Sequence, residues 1–417
     1  MTLIYLLWDT FYNALKLVTG LVAVYQIVLS IYGLWHRRRT ITHAPQKRFA
    51  IIIPAHNEEC VIGPLLESLK RQTYPKRLYD VHVIADNCTD RTAERARSHG
   101  AIVHVRENRA EQGKGYAIEW MLARLRDMDA HYDAIVMFDA DNLVHPDFLA
   151  MMNDHLCSGD RVIQGYLDTK NPFDSWISVS LAISYWFDNR LWQYARQRLN
   201  LPCTLGGTGL CIDYPLLQEM GWKATGLTED LEFGIRCVRR GIIPVWAHDA
   251  RVYDEKPTSF AASFRQRLRW QQGHFQCARE HLLPMFVEGL RERNLAKIDM
   301  AIYLFQPMRS MLLFAGAMIV LGLHYLSPDP TDAATNPAAL VVTNLWVAVN
   351  VILFLEIPLA MLLERVNWRA YFALPLLPFF LWTWGPVTLQ AYFTRSNRTW
   401  YHTVHKRAIR LDELRER

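Results

Sequence analysis

Four long apolar stretches constrain this chain more than any other feature of its 417 residues. The first runs from about Ala14 to Trp35, interrupted by Lys16 and Gln26, and exceeds the roughly 20 residues that a helix needs to cross a bilayer. It is too long and lies too far into the chain for a signal peptide, and no small-residue cleavage site follows, so it is expected to be a retained anchor. The flank His36-Arg37-Arg38-Arg39, with Lys47 and Arg48 beyond it, puts the following segment in the cytoplasm by the positive-inside rule.

Three further stretches of near-bilayer length follow Arg293: about Ile298 to Leu326, Ala338 to Leu363 and Ala370 to Phe393. The first carries Asp299 and Arg309, and the last carries Pro375, Pro378 and Pro386. The linker Ser327 to Pro337 has only acidic charges, Asp329 and Asp332, which suits an external loop; the tail from Thr394 holds Arg395, Arg398, Lys406, Arg407 and Arg410, which suits the cytoplasm. Three full crossings from the cytoplasm would leave that tail outside. One of the three stretches is therefore expected to be re-entrant or interfacial.

Composition narrows the rest. The 51% hydrophobic content excludes a disordered chain. The 7 cysteines are scattered and form no CxxC pair, which argues against zinc and disulfide frameworks and fits a reducing compartment. A net charge of +5 spread over this length does not point to nucleic acid.

Between Phe49 and about Glu280 the texture is that of a soluble α/β domain. Apolar strands are expected at Phe49 to Ala55, Asp80 to Asp86, Ala101 to Val105 and Ala134 to Asp139, with helices around Glu58 to Arg71, Thr89 to His99 and Lys114 to Arg126. This alternation predicts a mostly parallel sheet, whose ligands bind at the carboxyl ends of strands. Acidic residues ending strands are thus the ones to inspect.

The most specific cluster is Asp139-Ala140-Asp141, two carboxylates at the end of an apolar strand. They suit a divalent cation, which takes oxygen ligands and shares them with water and phosphates; a polar turn or helix cap is the structural alternative. Asp86 ends another strand and suits a uracil imide N–H, whereas Asp90 reads as a cap. Glu58 and Glu59 are either polar-loop ligands or first-turn acids facing a helix dipole. Thr228-Glu229-Asp230 reads as an N-cap with acids in the first turn, or as a site in which a carboxylate removes a proton from an attacking hydroxyl. Finally, Gln266, Arg269 and Trp270 share a basic amphipathic segment, either an interfacial helix or one that offers a guanidinium to a diphosphate and a ring to a sugar.

Taken in order, these elements resemble family 2 inverting glycosyltransferases, and in particular the membrane-integrated group that contains cellulose, chitin, hyaluronan and poly-N-acetylglucosamine synthases. Other matches are Pro54 to Glu59, the GKGYA loop at Gly113 to Ala117, the loop Gly206 to Gly209, and a W-x-x-T segment at Trp400 and Thr403. The resemblance implies a GT-A-type nucleotide-sugar-binding domain flanked by transmembrane helices. It implies Glu58, Asp86 and Lys114 at the donor nucleotide or sugar, and Asp139 and Asp141 at the diphosphate and a Mg²⁺ or Mn²⁺ ion. Asp230 becomes the catalytic base with Glu229 beside it. Gln266 and Arg269 go to the donor, and Trp270, Gly207 and Thr208 to the acceptor; Gly207 departs from several relatives, which have another small or polar residue there.

The expected organisation is an anchor over residues 1–40, a cytosolic transferase domain over 45–285 ending in the interfacial helix, a membrane region over 290–395 and a basic tail over 396–417. The expected activity is transfer of a sugar from a UDP-sugar to a growing polysaccharide at the plasma membrane. Addition of a single sugar to a lipid or lipid-linked acceptor is the alternative, and an accessory export subunit is a candidate partner. Nucleic acid is not expected as a partner.

Overall fold

A computed structural model describes residues 2–128, 131–223, 226–326, 337–396, 405 and 407–414. Its centre is a mixed sheet of eight strands: β1 (Phe49–Ala55), β2 (Tyr79–Asp86), β3 (Ile102–Arg106), β4 (Ala134–Met137), β5 (Leu143–Val144), β6 (Val162–Thr169), β7 (Leu210–Asp213) and β8 (Val245–Asp254), in the order β3-β2-β1-β4-β7-β6-β8-β5. The β3-β2-β1-β4 part and the β6-β8 pair are parallel, while β7 pairs antiparallel with β4 and β6. The four strands and three helices expected up to Asp139 are all present. What the alternation did not anticipate is β7, whose antiparallel insertion bends the sheet back toward β6.

Strand β1 shows why the sheet has helices on both faces. Ala50 and Ile52 enter one apolar cluster with Ile118, Met121 and Phe233, whereas Ile51 and Ile53 enter another with Leu65, Phe138 and Phe148. Successive side chains point to opposite faces, so a strand that is apolar at every position is buried on both. Register places Ala55 against Ala85. The polar residues after β1 and β2 therefore emerge side by side at the carboxyl edge.

Among the described residues, four segments are long and apolar enough to cross a membrane: Thr10–Ile31, Leu295–Ile319, Leu340–Leu363 and Trp368–Thr394. The first three are unbroken helices, but the fourth divides into a 3₁₀ stretch (Trp368–Leu376) and two short helices (Leu377–Trp382 and Trp384–Thr394), as its prolines require. The middle and the carboxyl end of this segment meet the α/β domain and the helix that follows it. Trp176 packs against Phe379, with ring centroids 5.9 Å apart, and Gln272 donates to Thr394 Oγ1 at 2.8 Å. It is the one of the four that is broken and packed against the α/β domain.

The long helices are tied to the domain by buried ions. Arg190 donates to Gly33 O at 2.7 Å, at the end of the first helix, and to Glu364 Oε1 at 3.3 Å, at the end of the third. Arg196 pairs with Asp299 at 3.0 Å, and Tyr25 donates to the same carboxylate at 2.7 Å. Arg190 follows a helix, Trp176–Phe187, that continues into a π-helical turn, Asp188–Gln193; such turns mark places where a helix is deformed for a purpose.

Candidate active site

At the carboxyl edge the strand ends turn sharply. Asn57 and Asn87 adopt positive φ (55° and 50°), which Asn tolerates better than most residues. Each closes a loop with its side chain: Thr89 N donates to Asn57 Oδ1 at 2.8 Å, and Asn108 N to Asn87 Oδ1 at 2.9 Å. Asp86 is left at the tip of β2, with Oδ1 held by Arg106 at 2.7 Å; burial pushes its carboxyl up despite that guanidinium. Asp90 accepts from the Thr92 and Glu59 N–H groups, both at 3.0 Å, and is a capping residue.

After β4 the chain makes a compact turn in which Asn142 N donates to Asp139 O at 3.1 Å. Asp139 N donates to Thr208 Oγ1 at 3.0 Å, and the Thr208 hydroxyl binds Asn142. Thr208, expected at the acceptor, thus also locks the turn that carries the two carboxylates. Lys114 Nζ bridges Asp139 Oδ1 at 2.5 Å and Gly207 O at 2.6 Å. Burial opposes the lysine charge, but Asp139, Glu229 and Asp230 outweigh it and raise its pKa. Asp141 accepts from Glu255 N at 2.9 Å. Burial works against its charge, and His405, Lys170 and that N–H overcome it, so it stays ionised below the usual range.

The helix Glu229–Arg239 brings the third group. Thr228 stands at its N-cap position, but its hydroxyl does not cap; it faces Cys277 Sγ at 3.9 Å. Asp230 Oδ1 instead accepts from Leu231 N at 2.8 Å. Burial first and the Glu229 charge second push Asp230 up to about 7, against the opposing pull of Leu231 N–H, Lys114 and Arg269. Thr228 is pressed by a neighbour helix, Phe260–Arg291, where a Cβ on Gly273 would fall 2.5 Å from Thr228 Oγ1. That helix carries Gln266, Arg269 and Trp270 on one face.

One cavity of about 360 Å³ gathers Glu58, Asp86, Lys114, Asp139, Asp141, Gly207, Thr208, Glu229, Asp230, Gln266, Arg269 and Trp270. All twelve residues assigned to donor, acceptor, base or metal by the resemblance therefore line it, whereas Glu59 does not. His56, Asp254, Glu255, Tyr185 and His405 line it as well; of these, Asp254, Glu255 and Tyr185 escaped the sequence reading. Asp254-Glu255 is a further acidic strand end, so the same rule applied to β8 would have found it. His405 belongs to the tail segment that the resemblance brings near the site, though no role was read for it: it comes from the far end of the chain to meet Glu58 Oε1 at 2.9 Å, and against the effect of burial Asp141, Glu58 and Glu255 raise it to about 10. Trp400 and Thr403 lie outside the described residues.

Asp139 and Asp141 offer the hard oxygen atoms that a divalent cation takes, and Asp254 has a buried Oδ1 with no hydrogen-bond partner among the described residues; no three carboxylates, imidazoles or thiols among the described residues converge to hold an ion by themselves, so substrate phosphates would have to complete the set. Gly207 fixes the distance between base and lysine. Its φ of +74° suits glycine, and a Cβ there would lie 3.2 Å from Asp230 Oδ2 and 3.4 Å from Lys114 Nζ. Gly207→Ala is expected to lower the rate of sugar transfer at least about tenfold through strain and displacement of the carboxylate, read as kcat with donor binding measured alongside.

A second cavity of about 740 Å³ adjoins the first, sharing Asp230, Trp270, Gly206, Thr228, Leu167 and Tyr185. From this junction it extends along Tyr303 and Phe354 to Gln26 and Arg309, among the long apolar helices.

A family model described as glycosyltransferase like family 2 matches residues 45–273, and the chain belongs to that family. It is 26% identical over 255 residues to a probable glycosyltransferase, YdaM, of Bacillus subtilis (strain 168), a match covering 57% of this chain and 58% of that protein. It is 28% identical over 244 residues to beta-monoglucosyldiacylglycerol synthase of Nostoc sp. (strain PCC 7120), covering 54% of this chain and 49% of the relative. The chain thus spans about half the length of these relatives. Among solved structures, the mannosyltransferase PcManGT from Pyrobaculum calidifontis, in complex with GDP-Man and Mn²⁺, superposes with a TM-score of 0.60 at 16% identity, over 92% of this chain and 98% of that one. That likeness is one of fold, and it extends through the helical segments as well as the sheet.

Proposed function

We propose that this chain is a membrane-bound inverting transferase that moves a hexosyl group from a UDP-sugar to a hydroxyl of a lipid acceptor. One observation carries the reading: Asp230, the carboxylate poised near neutrality, lies on the wall common to a polar cavity at the strand ends and a second cavity running among apolar helices. A polysaccharide acceptor would use the same base, but the similarity to a glucosyldiacylglycerol synthase favours the lipid.

In the reaction, Asp230 takes the acceptor proton as the hydroxyl oxygen attacks the anomeric carbon from the face opposite the diphosphate. The new O–C1 bond forms, the C1–O bond to phosphate breaks, and the electron pair leaves with UDP. Lys114 and Arg269 face the charge that develops on the leaving group. Asp139 and Asp141 would hold Mg²⁺ or Mn²⁺, which when bound neutralises diphosphate charge. Glu58 and Asp86 line the nucleotide end, and Trp270, at the junction, offers a ring face to the sugar.

The flanking basic cluster and the tail support a cytoplasmic catalytic domain, with three helices crossing the plasma membrane and Trp368–Thr394 lying at its inner surface. The test is incubation of the protein in lipid nanodiscs with a panel of UDP-sugars, Mg²⁺ or Mn²⁺, and diacylglycerol, reading UDP release and product mass. One hexose added to the lipid is the expected product; a ladder of sugars would replace the lipid reading by the polymer one, and no release with any donor would remove both.

The same site dictates a pH profile. A base with a pKa of about 7 is half protonated there, so kcat/KM for transfer is expected to fall about tenfold per unit as pH drops below that value and to level off above it. A flat profile from pH 5.5 to 8 would remove Asp230 as the group that titrates.

A further inference from the structure

Arg309 stands near the middle of the apolar segment Leu295–Ile319 and lines the second cavity. The other guanidiniums at the feet of these helices are neutralised: Arg190 holds Glu364 at 3.3 Å and Arg196 holds Asp299 at 3.0 Å. Arg309 is different. Its Nη1 donates to the neutral Gln26 Oε1 at 3.1 Å, and no carboxylate among the described residues pairs with it. An ionised side chain within a membrane segment is costly and is retained where it faces a partner or a pathway. Gln306, Ser310 and Asn350 also line this otherwise largely apolar cavity, so it offers polar groups as well as room for acyl chains.

We propose that Arg309, oriented by Gln26, is a binding subsite for an oxyanion, a phosphate or carboxylate, carried by the membrane-embedded acceptor. The inference rests on the lipid-acceptor reading above and deepens it: the acceptor presents a hydroxyl to Asp230 at one end of the cavity and an anionic group to Arg309 at the other. A guanidinium is the side chain suited to this, because its planar fork donates two parallel hydrogen bonds to such a group. Gln26 is a positioning residue, since it reaches the ligand only through Arg309.

The experiment uses the full chain in nanodiscs with two acceptors of identical acyl chains: phosphatidylglycerol, with free hydroxyls and a phosphodiester, and diacylglycerol, with a hydroxyl and no charge. For the unaltered protein the KM for phosphatidylglycerol is expected to be about tenfold lower than for diacylglycerol, the scale of one charge-assisted contact. Arg309→Gln should abolish that difference by raising the KM for phosphatidylglycerol about tenfold; Arg309→Lys should restore part of it, keeping charge without the fork. UDP binding measured on each variant certifies that it is folded. Equal use of the two lipids by the unaltered protein, or an equal loss with both in the Gln variant, overturns the subsite and leaves the lipid reading intact. Stimulation of diacylglycerol transfer by inorganic phosphate would show that the anion is not carried by the acceptor. Release of UDP with saccharide acceptors and neither lipid overturns the lipid reading and the subsite together.

Discussion

Asp230→Asn will reduce sugar transfer by about 10²–10⁴-fold, the range a positioned general base contributes, while UDP binding stays close to that of the unaltered protein. The amide keeps the size of the side chain and its bond to Leu231 N but accepts no proton. Binding should be spared because Glu58 and Asp86, proposed for the nucleotide, stand after other strands of the same cavity. The measurement is UDP release with and without acceptor, together with UDP affinity by calorimetry. Release at the native rate with acceptor present would show that another group takes the proton, and Glu229, its buried neighbour, would be the next to replace.

Loss of Glu364 will act on the whole assembly instead of on the chemistry. This carboxylate, just beyond the apolar segment Leu340–Leu363, accepts from Tyr166 OH at 2.9 Å, His248 Nε2 at 3.1 Å, Arg190 Nη1 at 3.3 Å and Arg251 Nη2 at 3.4 Å. Burial opposes its charge, yet the His248 bond and the Arg251 charge prevail and hold it at about 2. Glu364→Ala leaves Arg190 buried without its anion, a change that costs about 3–5 kcal/mol. The expected result is a Tm lower by several degrees in detergent and faster proteolysis between the domain and the third helix. Glu364→Gln should fall between the two, since it keeps the acceptor oxygen but not the charge. Because the folded pKa lies below the ordinary carboxylate value of 4.5, the contribution is complete above about pH 5 and is lost as pH falls toward 2. An unchanged Tm in Glu364→Ala would show that this network does not hold helix to domain.

Much of the site was legible in one dimension because each group sits at the end of a local element. Asp86 and Asp139 follow runs of buried apolar residues in β2 and β4, and Asp230 and Arg269 stand on helices with recognisable starts. The strand ends come together because parallel strands point their carboxyl ends the same way, so knowing the strands is nearly enough to know the neighbours. His405 shows where that reasoning stops. It reaches Glu58 across 347 positions, and no period or cap encodes such a meeting. Thr228 shows a different limit: it fits the N-cap preference and occupies the position, but packing against Gly273 and Cys277 turns its hydroxyl elsewhere.

The apolar stretches divide in the same way. Their lengths determined from sequence alone that helices long enough and apolar enough to cross a membrane bracket an α/β domain. Which one is broken and packed on that domain was decided by tertiary structure, as Trp176 meets Phe379 and Gln272 meets Thr394. The joining of the two cavities at Asp230 likewise exists only in three dimensions. Local sequence specifies which faces are apolar and where each element ends, because those depend on neighbours a few residues away. Where two such faces meet depends on contacts hundreds of residues apart, and there the two cavities join.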